Sequence, residues 1–338
     1  MLKYTGSGKW KRVGTPEEGF VYLGTGGRPI RGDHTLRRIR ALAIPPAWTG
    51  VEIDPDPAAS IQAVGTDAAG RRQYRYHSEF VSLRARRKFR RLLPFARAIP
   101  RFRGATSHDL RGDELSRERV LATLVRLMYR AFFRVGSERY AIRNQTFGIA
   151  TLEKRHLTIS GSNLIFRYIG KSSVEQLRVV AETPLVEIVE QILTLPGDRL
   201  FRYRDSDGIV RDVTAPEVNR YLAEVFGEPC TSKDIRTWGG TLRAATVLSD
   251  LGPALSSREA LRNLTLTCKL VSTDLGNTPT VCRGAYIHPA VLDRYLLGDT
   301  IDLTERKGSR PARSSDKKYY PEEVALMRFL EEVEESGE

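Results

Sequence analysis

One tyrosine and four polar side chains in this 338-residue chain have the types needed to break a phosphodiester. Tyr286 sits in "LGNTPTVCRGAYIHP", nine residues after Asn277. Arg134 lies in "FFRVGSERY", Lys171 in "FRYIGKSS" and Arg236 in "KDIRTWGG". Attack on a phosphodiester without a metal builds negative charge on two non-bridging oxygens of a five-coordinate transition state. Fixed guanidiniums can neutralise that charge in bidentate geometry. A phenol can serve as nucleophile when nearby cations lower its pKa. A desolvated lysine in a positive field can protonate the departing alkoxide. Spacing alone does not establish this chemistry, because the chain holds 54 Lys and Arg. Taken singly, Arg134 and Arg236 read as helix-end or surface ion pairs, and Lys171 as a turn residue. Asn277 reads as a cap or turn before Thr278-Pro279, and Tyr286 as a core aromatic.

Other chemistries find little support. The nearest approach to a phosphate-binding Gly-x-x-x-x-Gly-Lys-Ser/Thr loop is "YIGKSS", which lacks the first glycine and follows a strand in a hairpin pattern. The five histidines are scattered, no His-Glu-x-x-His occurs, and the acids are dispersed rather than clustered for metal-dependent hydrolysis. The three cysteines, Cys230, Cys268 and Cys282, lack metal-ligand spacing and read as reduced thiols. No apolar run reaches membrane-spanning length, and "MLKYTGSGKWKRVG" lacks the apolar core of a signal peptide. The expected location is therefore the cytoplasm, in association with the nucleoid.

The formal charge of +13 points to a polyanionic partner. Residues 1–110 hold 21 Lys/Arg against 9 Asp/Glu, so nearly the whole excess lies in the first third. Six of the eight residues from Arg84 to Arg91 are basic, and they follow an aromatic pair in "RRQYRYH". Arg and Lys neutralise phosphates, and Tyr rings can pack on sugars or bases, which favours a DNA-contact surface.

Two domains are expected from length. The reading is α+β: a small β-rich DNA-binding domain over 1–90, and a mostly helical catalytic domain over 91–338 with one small antiparallel sheet. In the first, "FVYLGTGGRPI" reads as a hairpin around Gly-Thr-Gly-Gly, and "SIQAVGTDAAGRRQYRYH" as a second hairpin. "HTLRRIRALAI" reads as a helix stopped by Pro45-Pro46. Residues 80–97 carry apolar side chains on a roughly helical period. In the second domain, "LSRERVLATLVRLMYRAFFRVG" reads as a helix capped by Ser116 and ended by Gly136. Three or four hairpin strands follow within 147–180, then further helices at "TAPEVNRYLAEVFG", "SKDIRTWGGTLRAATVLSDLG", "SREALRNLTLTCKLVSTDLG" and "PAVLDRYLLG". The basic, apolar-poor stretch from Glu305 reads as flexible, and "PEEVALMRFLEEVEESGE" as a final acidic helix.

Three blocks, "RVGSERYAIRNQTFGIATLEKRHLTISGSNLIFRYIGK", "KDIRTWGG" and "LGNTPTVCRGAYIHP", resemble signatures of the bacterial and poxvirus-type DNA topoisomerase IB family. "GRPIRGDHTLRRIRALAIPPAW" and "IQAVGTDAAGRRQYRYH" resemble that family's N-terminal domain. The resemblance covers roughly residues 10–300 in the family's order. It implies a C-shaped clamp on duplex DNA, acting as a monomer and needing no nucleotide cofactor and no metal. It implies that Tyr286 attacks the scissile phosphate to form a 3′-phosphotyrosyl bond and release a 5′-hydroxyl. Arg134, Arg236 and Asn277 would bind the non-bridging oxygens, and Lys171 would protonate the leaving 5′-oxygen. Swivelling and resealing would relax positive and negative supercoils. Tyr74, Tyr76, Arg84 and Tyr140 match DNA-contacting positions, and Gln73 precedes the two tyrosines in the same hairpin.

Two departures stand out. Asn277 occupies a position where poxvirus relatives carry histidine, and an amide can donate but cannot carry charge. Ser137 replaces a basic residue. Tyrosine recombinases share the helical fold and the Arg–Lys–Arg–Tyr chemistry. Lys233, where many recombinases place histidine, and the β-rich first domain argue against that reading. A non-catalytic DNA clamp would account for the charge but not for the five residues together.

Overall fold

The computed structural model describes residues 8–112, 114–303 and 318–336. The basic stretch expected to be flexible, 305–317, lies outside them. The chain divides into two compact units, Met1–Lys88 and Phe89–Glu338.

The first unit is a five-stranded antiparallel sheet: β1 (Trp10–Thr15), β2 (Gly19–Leu23), β3 (Thr49–Ile53), β4 (Ile61–Thr66) and β5 (Arg72–Tyr76), in the order β2-β1-β3-β4-β5. Helix α1 (Asp33–Ala41) lies between β2 and β3 in the chain. Its buried Ile39 joins Val51, Ile53 and Ala63 in a small core edged by Trp10, Tyr22 and Trp48. The hairpin partner of β2 is β1, upstream, rather than the run after Gly-Thr-Gly-Gly, which makes a single bridge, Leu23 to Pro29. Pro29 has no N–H to extend that ladder. The second expected hairpin is present as β4–β5, with Tyr74 opposite Val64. Helix α1 ends before the two prolines, at Ala41 with Leu42 as its cap, and Ala43 already has φ 45°.

The helical period over 80–97 spans two helices, α2 (Ser78–Phe89) and α3 (Leu92–Asp109), broken at Arg90-Arg91. Pro94 falls in the first turn of α3, where a missing N–H costs nothing. Helix α4 (Arg117–Ala131) starts as expected, with Ser116 Oγ accepting from Arg119 N. It ends at Ala131 rather than at Gly136, because Phe132 takes the left-handed conformation, φ 56°. Arg134 therefore stands in the coil beyond the helix, not at its end. Eleven of the fifteen residues of α4 are buried, so it forms the central rod of the second unit.

Helix α5 (Glu138–Asn144) precedes a three-stranded antiparallel sheet of β6 (Leu157–Ser160), β7 (Asn163–Ile169) and β8 (Glu175–Ala181). Then come α6 (Thr183–Leu193), a ribbon of β9 (Arg202–Arg204) and β10 (Val210–Asp212), α7 (Ala215–Phe226), α8 (Ser232–Leu251) and α9 (Ser257–Leu275). Capping boxes start α7 (Thr214, Glu217) and α8 (Thr231, Asp234). Short α10 (Pro279–Ala285) and α11 (Pro289–Leu296) follow, and α12 (Pro321–Ser336) closes the unit. Phe95, Phe102 and Phe226 stack in the core at centroid distances of 4.7–4.8 Å. Arg103 and Glu323, both nearly fully buried, join α3 to α12 at 2.8 Å. No helix among the described residues is long and apolar enough to cross a membrane.

Candidate active site

Four of the five chemistry-bearing residues meet where α4, α8, α9 and α10 end or pass. Helix α9 stops at Gly276 (φ 58°), whose positive φ suits glycine. Asn277 follows in the turn, its N–H donating to Ser272 O at 3.0 Å. Thr278 caps α10, and Pro279 takes its first turn. Tyr286 is the residue that ends α10, so a seven-residue helix carries the chain from Asn277 to Tyr286.

Tyr286 is held from behind by α8. Thr241, fully buried, donates to Tyr286 O at 3.2 Å and accepts from His288 N at 3.1 Å. The backbone on both sides of Ile287 is thus pinned to one hydroxyl. Gly240 gives the clearance: a Cβ there would lie 2.7 Å from Tyr286 O and 3.2 Å from Tyr286 Cβ. Its neighbour Gly239 does the same for the Phe132 ring. Alanine favours a helix over glycine by about 1 kcal/mol, so Gly240→Ala should keep the fold while pushing Tyr286 away from Arg236. Were Tyr286 a nucleophile, its single-turnover reaction would fall roughly 100-fold, the scale of a 1 Å misplacement. An unchanged circular-dichroism spectrum would separate this from unfolding; a wild-type rate would show that the clearance has no such consequence.

Arg236 is 2% exposed on α8. It donates through Nη1 to Phe132 O and through Nη2 to Leu275 O at 2.7 Å. Its guanidinium carbon stands 5.1 Å from the centre of the Tyr286 ring, and its Nε is buried without a partner. Arg134 donates through Nη2 to Gly276 O at 3.1 Å and to Asn277 Oδ1. Arg134 can only donate, so it fixes which end of the Asn277 amide faces it. The donor end, Nδ2, is left buried with no hydrogen-bond partner.

Both arginines are held by neutral acceptors. Two nearby acids pair elsewhere: Asp234, two residues before Arg236, with Arg91 at 3.3 Å, and Asp274, two residues before Gly276, with Arg243 at 3.0 Å. Burial, then the charge of Arg236, lowers Arg134 to about 10. For Tyr286, burial pushes the phenol up, but Arg236, Arg134 and Lys233 outweigh it and leave it below the ordinary tyrosine value. The ring packs against the core while its hydroxyl titrates in a cationic field. Core aromatic and activated phenol are therefore two ends of one side chain.

Lys171 stands apart. It is exposed in the turn between β7 and β8, where Ser172 (φ 66°) and Ser173 (φ 56°) are left-handed. No hydrogen bond or ion pair joins it to the other four among the described residues. Two further side chains, absent from the sequence reading, line the cluster. Arg178, 9% exposed on β8, has its guanidinium lowered by burial and, against the opposing pull of Tyr168, by Arg236. Gln176, 2% exposed, accepts from it.

In the first unit, Tyr74 and Tyr76 stack at 5.9 Å, and Tyr76 stacks on Phe80 at 5.6 Å. Arg84 lies over the rings of Tyr76 (5.7 Å) and Phe80 (5.5 Å). Tyr74, Tyr76 and Arg84 are exposed, so they present a continuous aromatic and cationic strip. Gln73 instead donates to Asp67 Oδ2 at 2.8 Å, within the β4–β5 turn. Tyr140 is exposed on α5, in the second unit. The three cysteines are buried, and burial raises all their thiols, Cys282 to about 11, which leaves them unfit as nucleophiles.

Comparison with known proteins identifies the family. Residues 77–305 match the family model of the eukaryotic DNA topoisomerase I catalytic core, and 19–67 match that of the bacterial DNA topoisomerase IB N-terminal domain. The DNA topoisomerase 1B of Acanthamoeba polyphaga mimivirus is 32% identical over 268 residues, covering 77% of this chain and 80% of that one. The DNA topoisomerase 1B of vaccinia virus (strain Copenhagen) is 23% identical over 252 residues, covering 72% and 75%. A solved XerH site-specific recombinase bound to a palindromic difH substrate overlaps 58% of this chain and 49% of its own at 12% identity, with a TM-score of 0.39, a likeness too weak to bear on function. By a catalytic-core match over two thirds of its length and a relative at 32% identity, the chain belongs to the DNA topoisomerase IB family of isomerases.

Proposed function

We propose that the protein relaxes positive and negative supercoils in duplex DNA by cutting and resealing one strand through Tyr286. The observation that supports this most is the convergence of Tyr286, Arg134, Arg236 and Asn277 on one spot, with two cations held by backbone and amide oxygens and, among the described residues, no carboxylate bonded to either. Such a site lacks an anion, and a scissile phosphate is an anion of the right size and geometry. Arg134 and Arg236 bind its non-bridging oxygens. The unpartnered Nδ2 of Asn277 supplies one more donor.

The phenol oxygen of Tyr286 forms a bond to phosphorus as the bond to the 5′-oxygen breaks. The phenol gives its proton to water, and Lys171 gives one to the leaving oxygen. The products are a 3′-phosphotyrosyl ester and a 5′-hydroxyl. The cut strand swivels, and the same 5′-hydroxyl attacks the ester to restore the backbone. One phosphodiester is exchanged for another, so ATP is not consumed, and guanidiniums take the charge that a metal would otherwise carry. The strip of Tyr74, Tyr76 and Arg84, with Tyr140 on α5, contacts the duplex. The protein acts as a monomer in this scheme.

The expected result is relaxation of plasmids of either sign of supercoiling in EDTA and without ATP. Strand exchange between chosen sites without relaxation would favour a recombinase. Binding without cleavage would leave a DNA clamp.

A further inference from the structure

Gln176 lies between the two turns that carry Lys171 and Asn277. Its Cγ sits so close to Gly170 that a Cβ there would be 2.7 Å away. Its Oε1 packs on Gly276, where any Cβ would overlap it. Gly170 immediately precedes Lys171, and Gly276 immediately precedes Asn277. Nε2 of Gln176 donates to Val174 O (3.3 Å) and Glu175 O (3.2 Å), on the far side of the Lys171 turn. Oε1 accepts from Arg178 Nη2 at 2.7 Å, and Arg178 Nη1 reaches Thr273 O, in the last turn of α9, at 3.4 Å. One nearly fully buried amide thus touches both sides of the Lys171 turn and the start of the Asn277 turn.

We propose that Gln176, oriented by Arg178, is a positioning residue that registers the Lys171 turn against the Gly276-Asn277 turn. Lys171 has no bonded partner of its own among the described residues, so the place of its ammonium depends on the path of the turn. That path is fixed at its base by Gln176. Arg134 grips the Gly276-Asn277 turn from the other side. The proposal rests on Lys171 being the general acid of the cleavage step.

The test compares two DNA duplexes in single-turnover cleavage: ordinary DNA, and DNA with sulfur in place of the bridging 5′-oxygen at the scissile site. A thiolate leaves without needing a proton, so the sulfur duplex bypasses the general acid. Gln176→Leu is expected to cleave ordinary DNA roughly 10- to 100-fold slower than wild type, the scale of a misplaced acid. On the sulfur duplex its rate should return to that of wild type. Lys171→Ala should show the same split, and so should Arg178→Met, which removes the donor that orients Gln176. Equal slowing on both duplexes, or no slowing on either, would overturn the proposal. Gln176→Glu keeps the acceptor for Arg178 and loses the N–H donors, so it supplies the same comparison if Gln176→Leu does not fold. Failure of wild type to attach to the sulfur duplex, or attachment by Tyr286→Phe, would instead overturn the function on which the proposal stands.

Discussion

Tyr286→Phe is expected to lose relaxation and strand cleavage by on the order of 10⁴-fold or more, the usual consequence of removing a nucleophile. The substitution deletes one oxygen. The ring, which packs on the core and lies 5.1 Å from the Arg236 guanidinium carbon, is kept. The backbone bonds to Thr241 do not involve the side chain and also remain. Thermal stability and duplex affinity should therefore match wild type, while covalent protein–DNA adducts disappear from denaturing gels. Unchanged relaxation by this variant would remove Tyr286 from the chemistry and leave the phenol as a packing group.

Arg236→Lys is expected to slow cleavage by about 10²- to 10³-fold, the loss typical of one oxyanion donor. The charge is retained, so a purely electrostatic role would predict a small effect. Geometry argues otherwise. Arg236 spans Phe132 O and Leu275 O with two nitrogens of one rigid plane and still has an unpartnered Nε. A single ammonium cannot hold two carbonyls in that arrangement and also present a second face to phosphate. The measurement is single-turnover cleavage beside duplex affinity; near-wild-type cleavage would show that charge alone matters there. In Arg236→Gln, which removes the charge as well, the Tyr286 phenol should shift upward, since Arg236 heads the cations that hold it down.

Much of this site was legible before the fold. Arg134, Arg236, Asn277 and Tyr286 each sit in a short block whose order matches the family, and the blocks were recognisable as strings. Helices α7 and α8 were expected from their strings, and the capping boxes at Thr214 and Thr231 are what start them. Helix α10 was not, because seven residues, Pro279–Ala285, carry too little periodicity to read. The end of α4 was misjudged for a different reason. A phenylalanine took the left-handed position that glycine usually marks, and the tertiary contacts of Phe132 with Gly239 and Arg236 decide it.

Gln176 and Arg178 were missed because β8 runs against the ordinary rule. Leu177 and Val179 are 50% and 55% exposed, while Gln176 and Arg178 face inward. Alternation was visible in "EQLRVV", but Leu177 and Val179 lie on the outer face beside Glu175, while Gln176 and Arg178 share the inner face with Val180. A strand that buries its polar face needs partners to receive it, and here they are the C-terminal turn of α9 and the glycine after it. That inversion is the sequence signal for a polar site, readable once the direction of one side chain is known.

The acceptors that hold the two central arginines are, apart from one amide, main-chain oxygens of Phe132, Leu275 and Gly276. A side chain can be exchanged by a single codon change, but a peptide carbonyl cannot. The charge constellation is therefore insulated from drift at the residues that contact it. Its vulnerability lies instead in whatever dictates the route of the main chain. Inherited damage should accordingly concentrate at small, conformation-setting positions such as Gly240 and Gly276.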